Sequence, residues 1–445
     1  TVMADKCIFD PSVELIDREA VESIQLTKLL EMLRHIWSTN DFYRSKWQEA
    51  GVKLDAIKSF ADFAAAIPLV EKGDFVADQK AYPPFGSRLA HPLSLKQRLD
   101  LYTTSGTSGQ GVEIHAQTER ELRVMEHIYG FYFHWAGMTP GDRTFLTLPI
   151  TMLGGGRIEY QGAIAHGLTV MPAGNYDARQ KLDLIERFRP RALYGSTSYF
   201  GHLAALSANP KDAGIEVLLT GLEGVGFSFL KRLEEQWGAR AADRFGCTQM
   251  RGDFMFTAEE GVGEDRAGVL LNLDPFVYLE MLDTTTGLPV QDGEFGELVV
   301  TSLYHFDNPV VRNRLRDGAI FRRPRKGSSF RAFSGIEVAS VARTDDVKKV
   351  KGINLYPQAV DDLMFTIPEV DEYQVVLRSA ADMSDIARID IMPKSSVSLE
   401  GRDDFVKRIG VLLREKMGIS FAVEIVSEVQ RSEYKARRWR DERIR

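Results

Sequence analysis

Strand and helix signals alternate through the middle of the chain, and this alternation most constrains its fold. Short apolar runs at 143–149, 166–172 and 192–194 are predicted to be strands, because turn residues bound them. Segments 118–135 and 177–188 carry the apolar spacing of helices. Such alternation predicts an α/β fold in which helices cover a parallel or mixed sheet. In open sheets of this kind, ligands bind at the carboxyl ends of the strands.

Different patterns flank this region. An amphipathic helical lead is predicted over 11–48, and alternating strands with turn residues predict an antiparallel β-subdomain over 269–301. A charged stretch containing Gly, Asn and Pro, 342–357, predicts a linker, and a small α+β domain follows it. We therefore predict a large amino-terminal domain, residues 1–342, and a small, mobile carboxyl-terminal domain, residues 343–445.

The stretch 101–115, Leu-Tyr-Thr-Thr-Ser-Gly-Thr-Ser-Gly-Gln-Gly-Val-Glu-Ile-His, carries most chemical information. Glycines let backbone N–H groups turn toward one point, and short hydroxyl side chains add donors, so the run predicts a cradle for phosphates. Composition leaves open a plain surface loop rich in Ser, Thr and Gly. The run lacks the Lys-Ser/Thr of P-loop NTPases and the Gly-x-Gly-x-x-Gly of dinucleotide folds.

Composition argues against several functional classes. The net charge of −7 lacks the basic footprint of a nucleic-acid-binding protein. No apolar run approaches the roughly 20 residues of a membrane helix, and no signal peptide is recognised, so we expect a cytoplasmic protein without membrane contact. The two cysteines, Cys7 and Cys247, are too few for a disulfide framework or a four-thiolate metal site. Cys247 is interpreted as a small packing residue.

Four motifs together resemble the acyl-adenylating superfamily, specifically its phenylacetate–CoA ligase-like branch. They are the hydroxyl-rich loop, the preceding Pro68-Leu-Val-Glu-Lys-Gly-Asp-Phe and Tyr82-Pro-Pro-Phe-Gly, and the stretch from Glu280 to Thr301. The last is similar to the branch pattern E-x-x-D-x-x-T-G-x-x-x-x-D-G-E-x-G-E-L-V-x-T almost residue for residue. The resemblance extends over nearly the whole chain, including the hinge pattern at 342–357 and the tail Arg431-Ser-Glu-Tyr-Lys-Ala-Arg-Arg438.

The resemblance implies an AMP-forming acid–thiol ligase that uses ATP, Mg²⁺ and coenzyme A. It would convert a small aromatic acid, such as a benzoate, aminobenzoate, hydroxybenzoate or arylacetate, to an acyl-adenylate and then to the CoA thioester. One alternative is an adenylating enzyme that loads a carrier-protein thiol. Another is a non-catalytic protein that binds a nucleotide or an acyl-adenylate. The oligomeric state is left open, and a homodimer is compatible with the sequence.

The resemblance also implies roles for individual residues. Lys435 and Thr248 would be catalytic, Asp345 the hinge, Gly352 a CoA contact, and residue 249 the metal ligand. The residues implied to bind ATP or AMP are Thr104, Ser105, Gly106, Thr107, Ser108, Gly109, Glu223, Gly224, Phe245, Gly246, Asp317 and Arg343. Those implied to line the acyl pocket are Gly155, Tyr194, Gly195, Ser196, Tyr199 and Leu222.

The chain departs from the family pattern at several of these positions. Gln110-Gly111 replaces the usual Lys-Pro after the loop, and Tyr434 stands where Gly is usual. Gln249 replaces the carboxylate that normally helps to hold Mg²⁺, and a neutral amide is a poorer ligand for that hard cation. Asn313 and Ala342 replace a Tyr and a Gly.

Overall fold

The computed structural model describes residues 8–90, 96–104, 112–324, 327–344, 348–351, 353–355, 357–380, 384–398, 400–429 and 438–443. Among these residues, none of the helices combines the length and apolar character needed to cross a membrane. Five helices form the amino-terminal lead: α1 Pro11–Glu14, α2 Arg18–Thr39, α3 Asp41–Glu49, α4 Phe60–Ala66 and α5 Lys72–Ala81. Their apolar faces enclose a separate core around Trp47, which also takes in Leu303 and Val311 of the β-subdomain.

The phosphate-loop region is a hairpin followed by a helix. Strands β1 Leu99–Thr103 and β2 Ile114–Thr118 pair in antiparallel orientation, with Thr103 opposite Ile114. Helix α6, Glu119–Trp135, starts directly after β2 because Thr118 and Glu121 form a capping box. This helix is buried along most of its length, which agrees with the long apolar run in its sequence.

A five-stranded parallel sheet occupies the centre of the large domain, as the alternating signals predict. In chain order its elements are β3 Arg143–Leu146, α7 Gly154–Ala165, β4 Thr169–Pro172, α8 Ala178–Phe188, β5 Ala192–Tyr194, α9 Thr197–Leu206, β6 Val217–Leu219, α10 Phe227–Trp237 and β7 Arg240–Ala242. The strand order is β4-β3-β5-β6-β7, and every neighbouring pair is parallel. The carboxyl ends of β5 and β6 therefore lie side by side, followed by the predicted pocket segments.

An eight-stranded antiparallel sheet follows. Its strands are β8 Arg244–Cys247, β9 Gly252–Thr257, β10 Val269–Asn272, β11 Val277–Leu282, β12 Phe295–Ser302, β13 Asn313–Arg322, β14 Gly335–Glu337 and β15 Ala342–Arg343. The path β11-β12-β13-β14-β10-β9-β8 runs through seven of them, and β15 pairs with β13. Because β8 begins two residues after β7, the two sheets meet at the Arg244–Gln249 segment.

The carboxyl-terminal part contains β16 Lys348–Val350, β17 Ile353–Leu355, α11 Pro357–Phe365, β18 Val370–Ser379, β19 Asp385–Pro393, α12 Arg402–Met417, β20 Ala422–Ile425 and β21 Trp439–Asp441. Four strands form a sheet in the order β20-β19-β18-β21. Helix α12 ends at Gly418, whose φ of +75° suits a left-handed C-cap. Helix α11 packs on α10 of the large domain, where the rings of Phe229 and Phe365 lie 4.6 Å apart.

Candidate active site

The two ends of the predicted phosphate cradle are held together by the hairpin. The Thr104 N–H donates to the Glu113 carbonyl at 3.1 Å, and the Glu113 N–H donates to the Thr104 hydroxyl at 3.0 Å. The Thr103 N–H donates to the carbonyl of Met152 at 2.8 Å, which joins the hairpin to the glycine segment 154–156. Ser105, Gly106, Thr107, Ser108 and Gly109 lie outside the described residues.

The glycine segment before α7 approaches other backbone closely. Gly156 has φ of +89°, and a Cβ there would lie 2.1 Å from the Pro149 carbonyl oxygen. Gly155 is also non-helical, so the first turn of α7 is interrupted at two positions. A Cβ on Gly154 would lie 3.4 Å from the Thr248 hydroxyl. The structure thus brings the predicted acyl segment next to the predicted catalytic threonine.

The segment after β5 contains the predicted pocket residues Tyr194, Gly195 and Ser196. Tyr194 is fully buried, and the Arg244 guanidinium lies 4.6 Å from its ring centre. A Cβ on Gly195 would lie 2.0 Å from the Thr147 hydroxyl, so no larger residue fits there. Among the described residues, the buried hydroxyls of Tyr194 and Ser196 have no hydrogen-bond partner. Buried hydroxyls without a partner can form hydrogen bonds with a polar group of a ligand.

Tyr199 differs from the other predicted pocket residues. Its ring belongs to the core beneath α9, and its hydroxyl accepts a hydrogen bond from Lys181 Nζ at 3.0 Å. Both side chains are fully buried. Phe200 and Leu203 of α9 belong to the same core.

The turn after β6 contains Leu222, Glu223 and Gly224. Leu222 has φ of +72°, and the Glu223 carboxylate accepts a hydrogen bond from the Ser198 N–H at 2.6 Å. A Cβ on Gly224 would lie 2.6 Å from the Val341 carbonyl oxygen and 3.0 Å from Gln358 Oε1. This turn, which contains two residues predicted to bind ATP or AMP, therefore lies against Val341, directly before the predicted linker, and against helix α11.

Phe245 and Gly246 lie on β8 at the junction of the two sheets. Phe245 is half-buried and meets Phe254 edge to face, with ring centres 5.8 Å apart. A Cβ on Gly246 would lie 2.4 Å from Asp253 Cα, so β8 packs closely on β9 at this point. The neighbouring Cys247 thiol is not a nucleophile, because burial raises its pKa to about 12, with contributions from the Asp317 and Glu113 carboxylates.

Arg244 is a site residue that the sequence analysis missed. Its buried guanidinium donates to the carbonyls of Thr220 at 2.6 Å and Leu219 at 3.1 Å, and more weakly to Gly195 at 3.4 Å. It pairs with Asp253 at 3.0 Å and with Glu159 at 3.4 Å. One side chain thus connects the carboxyl ends of β5 and β6 with α7 and β9. Its only sequence signal is an arginine between two apolar strand segments.

Asp317 and Arg343 face each other across β13 and β15. Their Cα atoms are register partners, and Arg343 Nη1 lies 3.5 Å from an Asp317 carboxylate oxygen. Arg343 also donates to the Leu315 carbonyl at 3.1 Å. Both side chains are partly exposed. The preceding arginines are ion-paired: Arg312 with Glu280, Arg314 with Glu297, and Arg316 with Glu71.

Gln249 contacts a carboxylate that the sequence analysis did not consider. Its amide Nε2 lies 3.1 and 3.0 Å from the two carboxylate oxygens of Glu113. Burial acts to raise the pKa of Glu113, but His115, the Gln249 amide and Lys72 together hold it below its ordinary value. Burial lowers the pKa of His115 to about 4, so this histidine is neutral near pH 7. Among the described residues, no group of three or more His, Cys, Asp or Glu side chains could hold a metal ion.

The predicted residues Lys435, Asp345 and Gly352 lie outside the described part of the chain. Arg438, three residues after Lys435, is described and buried. It pairs with Glu372 at 2.7 Å and lies 3.7 Å from Asp361. Its guanidinium is 4.8 Å from the Phe365 ring centre and 5.5 Å from that of Phe229, so it lies where α10 and α11 meet.

Two family models match the chain in succession. The model of the AMP-binding enzyme family matches residues 47–306, and the model of the AMP-binding enzyme C-terminal domain matches residues 352–443. Phenylacetate-coenzyme A ligase of Thermus thermophilus is 26% identical over 410 residues, covering 91% of this chain and 86% of that protein. The ligase of the same name from Pseudomonas putida is 26% identical over 452 residues, covering 99% and 98%.

A solved structure confirms the predicted fold class. The structure of 2-hydroxyisobutyryl-CoA ligase, in the postadenylation state in complex with R3-HIB-AMP, superposes with a TM-score of 0.88 at 22% identity. The match covers 99% of this chain and 93% of that one. A large α/β domain followed by a smaller α+β domain is thus the architecture of both chains.

Proposed function

The chain belongs to the AMP-binding enzyme family, and from this premise we propose that it is an AMP-forming acid–thiol ligase. It activates a small aromatic carboxylic acid with ATP and transfers the acyl group to coenzyme A. The observation that carries this proposal is the end-to-end similarity to curated phenylacetate-coenzyme A ligases, which extends over 99% of the chain. Because ATP and coenzyme A are cytoplasmic substrates, we place the reaction in the cytoplasm.

The reaction has two steps. A carboxylate oxygen of the acid forms a bond to the α-phosphorus of ATP while the bond to pyrophosphate breaks. The coenzyme A thiol, after losing its proton, then attacks the acyl carbon, and AMP leaves with the bonding electron pair. The first step needs no general base, because the nucleophile is already an anion. Catalysis of that step therefore consists of positioning and charge neutralisation.

Several described residues have roles at the nucleotide in this scheme. Asp317 accepts hydrogen bonds from the ribose hydroxyls, a task that suits an acceptor-only, two-oxygen group. Phe245 stacks on the purine beside the Glu223-Gly224 turn, and the Thr248 hydroxyl contacts the α-phosphate. Arg343, the register partner of Asp317, contacts ribose or phosphate.

Outside the described residues, Lys435 would neutralise charge that develops on the α-phosphate. Asp345 would be the pivot about which residues 343–445 rotate between the two steps, and Gly352 would contact coenzyme A. The rotation would withdraw Lys435 and admit the thiol. Mg²⁺ would accompany ATP and offset phosphate charge, and it needs only one or two protein carboxylates in addition to the phosphates and water.

The aromatic acid is supported by the pocket segments. Tyr194 and Phe245 supply flat side chains, while Gly155, Gly195 and Gly224 leave space between the segments. The unpaired hydroxyls of Tyr194 and Ser196 suit an acid with a polar ring substituent, because leaving each unpaired costs about 1–3 kcal/mol. Leu222 would close the pocket beside them. The Tyr199 hydroxyl accepts a hydrogen bond from Lys181 in the core, so Tyr199 would form only the wall behind this pocket.

The test is acid-dependent exchange of labelled pyrophosphate into ATP, screened over benzoate, 2-aminobenzoate, phenylacetate and octanoate. The best acid is then incubated with ATP and either coenzyme A or a phosphopantetheinylated carrier protein, and the product mass is measured. We expect exchange with an aromatic acid and a CoA thioester as product. Absence of exchange with every acid, in a protein that is folded and binds ATP, would contradict the enzymatic proposal.

A further inference from the structure

Glu113 is a carboxylate to which the scheme above gives no role. It follows the predicted phosphate cradle directly, and its backbone forms both hydrogen bonds with Thr104 that close the base of the cradle. Its side chain is fully buried, and both carboxylate oxygens lie within hydrogen-bond distance of Gln249 Nε2. Glu113 thus connects the described end of the hairpin at Thr104 with the turn that contains Thr248 and Gln249.

The described surroundings of Glu113 supply little positive charge. The nearest cation among the described residues, Lys72 Nζ, lies 3.8 Å away, beyond hydrogen-bond distance. On the other side, Arg88 donates to His115 Nδ1 at 2.6 Å, which places the proton of a neutral ring on Nε2. His115 Nε2 lies 3.7 Å from Glu113 and has no hydrogen-bond partner among the described residues. Among the described residues, no cationic group donates a hydrogen bond to Glu113, so its carboxylate oxygens keep lone pairs for a cation that arrives with a ligand.

We propose that Glu113 supplies the carboxylate of the Mg²⁺–ATP site in this chain and that Gln249 orients it. This inference rests on the proposed function. Gln249 occupies the position where the family pattern has a carboxylate, and its amide contacts a carboxylate contributed by the loop strand. At this contact the carboxylate therefore comes from position 113, and the amide stands at position 249. One carboxylate with a hydrogen-bonded partner is sufficient for Mg²⁺ that arrives on phosphates.

The arrangement explains why residue 249 tolerates an amide. A glutamate at 249 beside Glu113 would place two carboxylates about 3 Å apart, where like charges oppose each other. A glutamine instead donates to Glu113 and fixes its orientation, while each carboxylate oxygen keeps a further lone pair for the cation. In this chain, position 249 thus orients the metal ligand Glu113 and does not bind the metal itself.

The test measures metal binding rather than turnover. Mn²⁺, which takes the same oxygen ligands as Mg²⁺, is titrated into the protein saturated with a non-hydrolysable ATP analogue, and free Mn²⁺ is followed by electron paramagnetic resonance. We expect Glu113→Gln to weaken Mn²⁺ binding by about 10- to 100-fold. The exchange variant Glu113→Gln/Gln249→Glu, which keeps a carboxylate–amide pair, should recover most of the loss. Unchanged Mn²⁺ affinity in Glu113→Gln would overturn the proposal.

The controls separate a metal site from a structural role. Glu280→Gln removes another buried carboxylate, one that pairs with Arg312 in the β-subdomain, and it should leave Mn²⁺ affinity unchanged. Should Glu113→Gln fail to fold, the exchange variant decides: wild-type Mn²⁺ affinity supports the proposal, and lost affinity in a folded protein overturns it. If the wild-type protein binds no ATP analogue, the proposed function itself fails. If it binds the analogue and Glu113→Gln has no effect, only this inference fails.

Discussion

Replacing Asp317 with alanine is expected to weaken ATP binding by about 10- to 150-fold while leaving the affinity for the acid unchanged. The carboxylate lies on β13 and is only partly exposed. In the proposed role it accepts hydrogen bonds from both ribose hydroxyls. Hydrogen bonds to a charged group contribute about 1.5–3 kcal/mol, and each 1.4 kcal/mol corresponds to a factor of ten in affinity.

Arg343 complicates this variant, because alanine at 317 also removes a charge that lies 3.5 Å from its guanidinium. The main-chain pairing of β13 with β15 does not depend on either side chain, so the strands should stay in register. Arg343 also keeps its hydrogen bond to the Leu315 carbonyl. Arg343→Ala is therefore the matched control, since it removes the ion pair but keeps the ribose acceptor. We expect it to weaken ATP binding less than Asp317→Ala.

The assay is calorimetric titration with ATP and with 2′,3′-dideoxy-ATP. The wild-type protein should bind the dideoxy nucleotide more weakly than ATP, whereas Asp317→Ala should bind both equally. This double-mutant cycle isolates the contact between the carboxylate and the ribose hydroxyls from any general effect on the site. Wild-type affinity of Asp317→Ala for ATP, or equal discrimination in both proteins, would refute the assignment of Asp317 to the ribose.

Three other predictions follow from the proposed mechanism and from the structure. Lys435→Ala should abolish pyrophosphate exchange but largely spare thioester formation from a supplied acyl-adenylate; equal losses would argue against a domain that withdraws this lysine. For the wild type, kcat/KM should favour a benzoate or arylacetate over octanoate, and equality would refute the aromatic assignment. Burial raises the pKa of Asp361 from 3.8 to about 6. Between these two pH values the folded protein keeps the Asp361 proton, whereas the unfolded chain has lost it. The free energy of unfolding therefore falls as pH rises through this interval. Relative to wild type, Asp361→Asn should gain up to about 3 kcal/mol in the free energy of unfolding between pH 4 and pH 7, measured in urea; a difference that does not vary with pH would refute the shift.

Local patterns predicted most of the secondary structure because hydrophobic periodicity and turn residues act over short stretches of chain. The strand over Ala192–Tyr194 has the predicted bounds, and the helix predicted over 118–135 is observed at Glu119–Trp135. The strand predicted over 143–149 ends at Leu146. One further backbone hydrogen bond, from the Thr147 N–H to the Tyr194 carbonyl at 2.9 Å, continues the pairing beyond this end.

Long-range contacts could not be predicted in the same way. The pairing of Gln249 with Glu113 joins residues 136 positions apart, and neither side chain has a local pattern that indicates the other. The sequence shows that an expected carboxylate is missing at 249, but it does not show where another carboxylate lies. Tyr199 illustrates the same limit, because the side of α9 that faces the core depends on the packing of that helix.

Buried charge gives a physical reason why the pocket segments belong to the folded core rather than to independent loops. Arg244 reaches the ends of β5 and β6 through the carbonyls of Gly195 and Thr220, and it is neutralised by Asp253 and Glu159. Removing the Arg244 guanidinium would leave these two carboxylates buried without a cation, which costs several kcal/mol. The segments that would hold the acid and the nucleotide therefore cannot move apart without breaking this network. Such cross-linking favours the fixed placement of reactants on which catalysis by positioning depends.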